Sequence, residues 1–220
     1  MQGVIFDLDG VLVSTDELHY QAWKKLADEL GITDFNREDN VRQRGVSRMA
    51  SLEVVLEKGD KEYSEEEKVE MAERKNDYYK EMLQSLDDSA VLPGAFDTLK
   101  MLRDRGILTA VGSASKNAPL ILEKTGLLPL IDKISCGLDV TKSKPDPEVF
   151  LKSCQKLGIT PDEALVLEDS ESGINAAYSA GIKVICIPDL KYPDHKFAIM
   201  TNKIMDNLSN VRDYLANENH

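Results

Sequence analysis

This 220-residue sequence predicts an α/β fold, a parallel sheet covered by helices on both faces, with a helical lid inserted after the first strand. Three observations carry that expectation. From residue 91 onward one pattern repeats, in which an amphipathic helix ends at a glycine and a short β-rich apolar run follows. An apolar run of the same kind, Val4-Ile5-Phe6, opens the chain. Between the two, residues 15–90 hold helical periodicity and many charges but no comparable apolar run.

Taken in order, the run at 4–6 is the first strand, because short continuous apolar runs suit strands buried on both faces. His19, Ala22, Trp23, Leu26 and Leu30 then share one face of a helix that stops at Gly31. Leu52, Val55 and Leu56 mark a second helix. A third starts at Ser64, with Glu67 placed three residues on as in a capping box, and runs through Val69, Met71, Ala72 and 78–82. These helices form an expected cap domain, 15–90, with crossings near 14–16 and 86–93; residues 1–14 and 91–220 form the core domain. In the core, helices are expected at 95–105, 119–125, 147–157 and 173–180, with stops or connections at Gly106, Gly126, Gly158 and Gly181. Strands are expected at 108–112, 134–136, 164–167 and 184–187, which with the first makes five.

Composition limits the partners. A content of 42% hydrophobic and 30% charged residues describes a folded chain, long enough for one large or two modest domains. The 27 basic and 39 acidic side chains give a net charge of −12, which argues against a nucleic-acid partner. Cys136, Cys154 and Cys186 are scattered, with no CxxC pair, and read as reduced core residues. No run approaches the ~18 apolar residues of a membrane span, and the opening MQGVIFDLDG lacks the pattern of a secretory signal. A cytoplasmic protein with no membrane partner is expected, and a monomer by default.

The polar residues that end the strands carry the chemistry. Asp7 and Asp9 follow the first strand, Ser113 the second, Lys144 lies after the third, and Glu168-Asp169 end the fourth. Ligands of open parallel sheets bind outside the carboxyl ends of the strands, so these groups should converge. Crowded carboxylates repel unless a cation intervenes, and hard oxygen ligands suit Mg²⁺, which is the expected cofactor. A carboxylate beside Mg²⁺ can attack a phosphoryl group, and a second carboxyl two residues on can act as general acid and base. Lys144 would offset the charge of nucleophile and phosphate, and Ser113 would donate a hydrogen bond. The pattern fits covalent phosphoryl transfer through an aspartyl phosphate.

FDLDGV at 6–11, VGSAS at 111–115, SKPDP at 143–147 and LEDSESGI at 167–174 resemble, in order, the four motifs of the haloacid dehalogenase superfamily. The resemblance implies a Rossmann-like core with Asp7 as nucleophile. Asp9 would be acid/base and, through its backbone carbonyl, a metal ligand; Glu168 and Asp169 would complete the Mg²⁺ shell. Three further stretches resemble the β-phosphoglucomutase-like branch. These are Arg44-Gly45-Val46-Ser47-Arg48 with Ser51, Lys75-Asn76 within 74–77, and Ser113-Ala114-Ser115-Lys116-Asn117; Thr15, His19 and Trp23 join them. That branch implies these residues as the substrate-binding set and glucose phosphates as substrate, with Thr15 and His19 coupling lid closure to Asp9. A physical argument runs beside it: a sugar with phosphate at both ends needs a second cationic site. Arg48 on the lid with Ser115 and Lys116 on the core would clamp that phosphate, and Gly45 and Val46 would let lid backbone approach the sugar. On the apolar stripe, packing explains His19 equally well, and it explains Trp23 better than substrate stacking does. Well-known members of the branch have lysine where Arg44 stands, and residues 187–194 look more like sugar-phosphate phosphatases. A Mg²⁺-dependent phosphatase of a small sugar or polyol phosphate therefore stays as the alternative.

Overall fold

In the computed structural model, which describes residues 1–189 and 191–217, β1 (Gly3–Phe6) leads directly into four helices. These are α1 (Asp16–Glu29), α2 (Arg37–Arg42), α3 (Arg48–Leu56) and α4 (Glu65–Leu83). Helix and strand then alternate through α5 (Ala95–Asp104), β2 (Leu108–Gly112), α6 (Ala118–Lys124), β3 (Lys133–Ser135) and α7 (Glu148–Leu157). The chain continues with β4 (Ala164–Glu168), α8 (Glu171–Ser179), β5 (Lys183–Cys186), α9 (His195–Ala198), β6 (Lys203–Ile204) and α10 (Leu208–Asn217).

The strands form one parallel sheet in the order β3-β2-β1-β4-β5-β6, the doubly wound arrangement of an α/β fold. β1 is apolar throughout because both of its faces are covered. Val4 and Phe6 pack with Leu99, Leu102, Ile121 and Val211 on one side, while Ile5 packs with Val149, Phe150, Val166 and Ala177 on the other. The chain reverses its direction of travel across the sheet at β1, between β2 and β4, which puts the residues after β1 in the crevice where such sheets bind ligands.

Helices α1, α3 and α4 have a cluster of their own around Trp23, Leu26, Leu52, Val55 and Met71. Ala22, Tyr79 and Leu83 join the first sheet cluster instead and anchor α1 and α4 to it. The segments that lead into and out of the four helices run side by side, with the Ser14 N–H donating to Ala90 O at 2.9 Å and Val13 bridged to Val91.

Three features differ from the sequence expectation. The sheet has a sixth strand, β6, an exposed two-residue edge strand too short to make an apolar run. β3 and β5 start at Lys133 and Lys183, one residue before the expected runs, because an exposed lysine at a strand start still pairs in the ladder with Ala110 or Leu165. Helices α2, α9 and α10 were not expected. α2 (REDNVR) has no apolar stripe and is set by its cap, with Asn36 Oδ1 accepting from the Glu38 N–H at 2.8 Å.

Candidate active site

β1 ends one residue before Asp7, whose N–H donates to Leu167 O at 2.9 Å, so the neighbouring strands fix the backbone beneath its carboxylate. Lys144 Nζ reaches Asp7 Oδ1 and Glu168 Oε1, both at 2.6 Å. The other Glu168 oxygen accepts from the backbone N–H of Asp169 and of Ser170, each at 2.8 Å, and from Ser170 Oγ at 2.9 Å. All three of Asp7, Glu168 and Lys144 are buried. One carboxylate oxygen from each of Asp7, Glu168 and Asp169 lies within 4.8 Å of the others, all buried. An anionic, all-oxygen donor set of this size fits a hard divalent cation.

Electrostatics show the strain that such a cation would relieve. Burial pushes Asp7 from 3.8 up to about 7, opposed by Lys144 and reinforced by Glu168 and Asp9. Burial and the neighbouring Glu168 hold Asp169 well above the carboxylate range. Burial works against the Lys144 charge, yet Asp7 and Glu168 raise its pKa overall. The native Asp7 keeps its proton up to about pH 7, whereas the unfolded carboxyl releases it near 3.8. Between those values the native state binds more protons, so the Asp7 contribution to stability is full below the lower value and is lost as pH rises through the upper. In chelator, the melting temperature of the parent relative to Asp7→Asn is therefore expected to fall from pH 4 to pH 7 and then level off. A flat difference across that window would contradict the assignment.

Asp9 stands apart from the three-carboxylate cluster in its side-chain contacts. Its carboxylate accepts from Thr15 Oγ1, which in turn accepts from the buried Tyr79 hydroxyl at 3.0 Å. The Tyr79 ring stacks on His19 at 4.0 Å between centroids, and His19 Nδ1 lies 2.9 Å from Lys75 Nζ. Lys75 is also 4.7 Å from the ring centroids of both Trp23 and Tyr79. Burial pulls the pKa of His19 and of Lys75 well below the usual range, and the charge of Arg48 adds to both shifts. The result is a continuous set of contacts from helix α4 to the acid two residues beyond Asp7.

A cavity of 510 Å³ opens between the strand ends and the helices. Asp7, Asp9 and Asp169 line it, and so does a second polar group made of Arg48, Asn76, Lys116 and Asn117. In that group Asn76 Oδ1 accepts from Arg48 Nη2 and Asn117 Nδ2, both at 2.9 Å, which joins α3 and α4 to the segment after β2. Burial lowers the Arg48 pKa, opposed by Glu73 and Asp77. Lys116 is exposed.

A family model described as haloacid dehalogenase-like hydrolase matches residues 4–187. The chain belongs to this family. It is 39% identical over 184 residues to a β-phosphoglucomutase of Bacillus subtilis, covering 83% of this chain and 81% of the relative. It is 30% identical over 188 residues to a phosphorylated carbohydrates phosphatase of Thermotoga maritima, covering 84% of each. A crystal structure of β-phosphoglucomutase from Clostridium difficile superposes with a TM-score of 0.89 at 35% identity, covering 98% of this chain and 96% of that one. The fold and the motif order are those of a haloacid dehalogenase-like enzyme, and the relatives include both mutases and phosphatases.

Among the residues expected from sequence, Val46, Ser47, Ser51, Ala114 and Ser115 line the cavity with the groups above, as do His19, Trp23, Lys75 and Ser113. Thr15, Lys144 and Glu168 are not on its wall: Thr15 donates to Asp9, and Lys144 joins Asp7 to Glu168. Several polar side chains already have backbone partners: Ser47 Oγ caps α3 by accepting from the Ala50 N–H at 3.1 Å, and Ser113 Oγ accepts from the Ser115 N–H at 3.1 Å. Arg44 and Gly45 also line the cavity, and Gly45 packs closely against the core as well. At φ 68° its Cα faces Ser170 and Ser172, and its carbonyl accepts from Ser172 Oγ at 3.1 Å, so its missing side chain makes room for the core of the enzyme. Tyr79 and Asp189 were missed. Tyr79 reads in the sequence as one more apolar helix position, and Asp189 lies in a loop without periodicity.

Proposed function

We propose that the protein is a β-phosphoglucomutase that interconverts β-D-glucose 1-phosphate and glucose 6-phosphate. The observation that carries this reading is the second polar group of the cavity, Arg48 with Asn76, Lys116 and Asn117. A substrate with one phosphate needs only the Asp7 side, whereas a hexose bisphosphate needs a cationic seat for the phosphate that is not reacting. Similarity to β-phosphoglucomutases over most of the chain supports the same reading.

Asp7, Glu168 and Asp169 would hold Mg²⁺, with the Asp9 carbonyl, and the ion would offset repulsion between the attacking carboxylate and the phosphoryl oxygens. Phosphorylated Asp7 gives its phosphoryl group to the 6-hydroxyl of the sugar: the new P–O6 bond forms, the acyl phosphate bond breaks, and Asp9 takes the hydroxyl proton. After the bisphosphate turns round, Asp7 attacks the phosphorus of the phosphate on O1: the acyl phosphate bond forms, the P–O1 bond breaks, and Asp9 returns the proton to O1, leaving glucose 6-phosphate. Lys144 keeps Asp7 aligned throughout. Helices α1–α4 serve as the lid that excludes water from the acyl phosphate, and the Thr15–Tyr79–His19–Lys75 contacts link its position to Asp9.

The test is product identity. Purified protein with Mg²⁺, β-glucose 1-phosphate and a trace of the 1,6-bisphosphate should form glucose 6-phosphate with little free phosphate; phosphate release alone would replace the mutase by a sugar phosphatase of the same family. Arg48→Ala should raise KM by ~10- to 100-fold, the scale of one charge-assisted hydrogen bond. Steady-state kinetics with unchanged KM would remove Arg48 from the phosphate seat.

A further inference from the structure

Arg44 holds two carboxylates with one nitrogen. Its Nη2 lies 2.6 Å from Asp169 Oδ2 and 2.7 Å from Asp189 Oδ2. It comes from the turn between α2 and α3, so this single side chain ties the helical insertion to two separate segments that follow β4 and β5. The two acids differ in setting. The Asp169 side chain is 4% exposed and belongs to the three-carboxylate cluster, whereas Asp189 is 26% exposed and lies outside it.

We propose that Arg44 and the divalent cation compete for Asp169, and that Asp189 is the carboxylate that keeps the guanidinium when the cation takes the site. The proposal rests on the metal-binding reading of Asp7, Glu168 and Asp169. A guanidinium at hydrogen-bond distance from Asp169 and a doubly charged ion on the same carboxylate repel each other at short range, and buried surroundings screen that repulsion poorly. One of the two bonds of Nη2 must loosen. The bond to Asp169 loses, because a carboxylate shared with a divalent ion has less charge left to offer, and Asp189 remains as a full partner. Arg44 is thus a positioning residue, and a loop acid outside the cluster sets the affinity for the cation.

The experiment is Mg²⁺ titration of the whole protein by calorimetry, without substrate. Arg44→Ala should bind Mg²⁺ about tenfold more tightly, the scale of one lost charge-assisted hydrogen bond. Arg44→Gln, which keeps most of the side-chain volume, should do the same if the alanine variant melts early. Asp189→Asn should weaken Mg²⁺ binding in the parent and leave it unchanged in the Arg44→Ala background. Arg48→Ala removes a charge from the same cavity and should change the affinity by less than the Arg44 variants do. An equal gain from Arg48→Ala, an unchanged affinity in both Arg44 variants, or the same Asp189 effect in both backgrounds would overturn the proposal while leaving the metal site standing. Failure of the parent to bind Mg²⁺ would overturn both.

Discussion

Asp7→Asn is expected to lower product formation by at least ~10³-fold, the scale seen when a covalent nucleophile is removed, with no loss of folding. An amide of the same shape keeps an oxygen for Lys144, whose second partner Glu168 is untouched, but it cannot form the acyl phosphate. The charge removed is one that the native state holds at a cost, since burial and Glu168 raise the Asp7 pKa to about 7. Above that pH, and in chelator, the variant should melt at or above the temperature of the parent. Activity and melting temperature thus move in opposite directions, the mark of a group kept for chemistry against the preference of the fold. Assay of glucose 6-phosphate and phosphate together with a thermal scan at pH 8 reads both. Activity within tenfold of the parent would remove Asp7 as nucleophile under either the mutase or the phosphatase reading.

The core of the site was legible because strand burial and strand direction leave little freedom. Once the run Val4-Ile5-Phe6 is a central parallel strand, the residues that follow it must emerge beside those that follow β2 and β4, and Asp7, Ser113, Glu168 and Asp169 take their places accordingly. The contacts that cross from the inserted helices to the core were less legible, because no local pattern encodes them. Arg44 reaches Asp189 over 145 positions of sequence, and Asp189 has no periodic neighbours to single it out. Tyr79 is hidden differently. Its ring satisfies the apolar stripe of α4, so periodicity accounts for it completely and gives no hint that its hydroxyl bonds Thr15. α2 and β6 escaped for the converse reason: one is too polar and the other too short to leave a hydrophobic signature.

Gly173→Ala is expected to be the most destabilising of these changes. Propensity alone predicts the opposite, since alanine in a helix is favoured over glycine by about 1 kcal/mol. The Cβ, however, would overlap the carboxylate carbon and Oε1 of Glu168. Glu168 has nowhere to go: it is 0% exposed and its oxygens already serve Lys144, two backbone N–H groups and Ser170 Oγ. Moving it breaks a buried ion pair, at a cost of ~3–5 kcal/mol that exceeds the propensity gain. The net loss of ~2–4 kcal/mol corresponds to a melting temperature lower by roughly 5–15 °C in a chain of this size. Mg²⁺ affinity should fall with it, because Glu168 is one of the three clustered acids. Gly158→Ala is the control: its φ of 73° is left-handed but nothing lies within 4 Å of the added carbon, so only the conformational penalty of ~1–2 kcal/mol applies. Calorimetric melts of the two variants separate the cases. A Gly173→Ala protein that melts within 2 °C of the parent, a shift of about 1 kcal/mol or less, would mean that Glu168 can shift without losing Lys144, and the close fit of α8 beneath the carboxylate would not be what holds the cluster together.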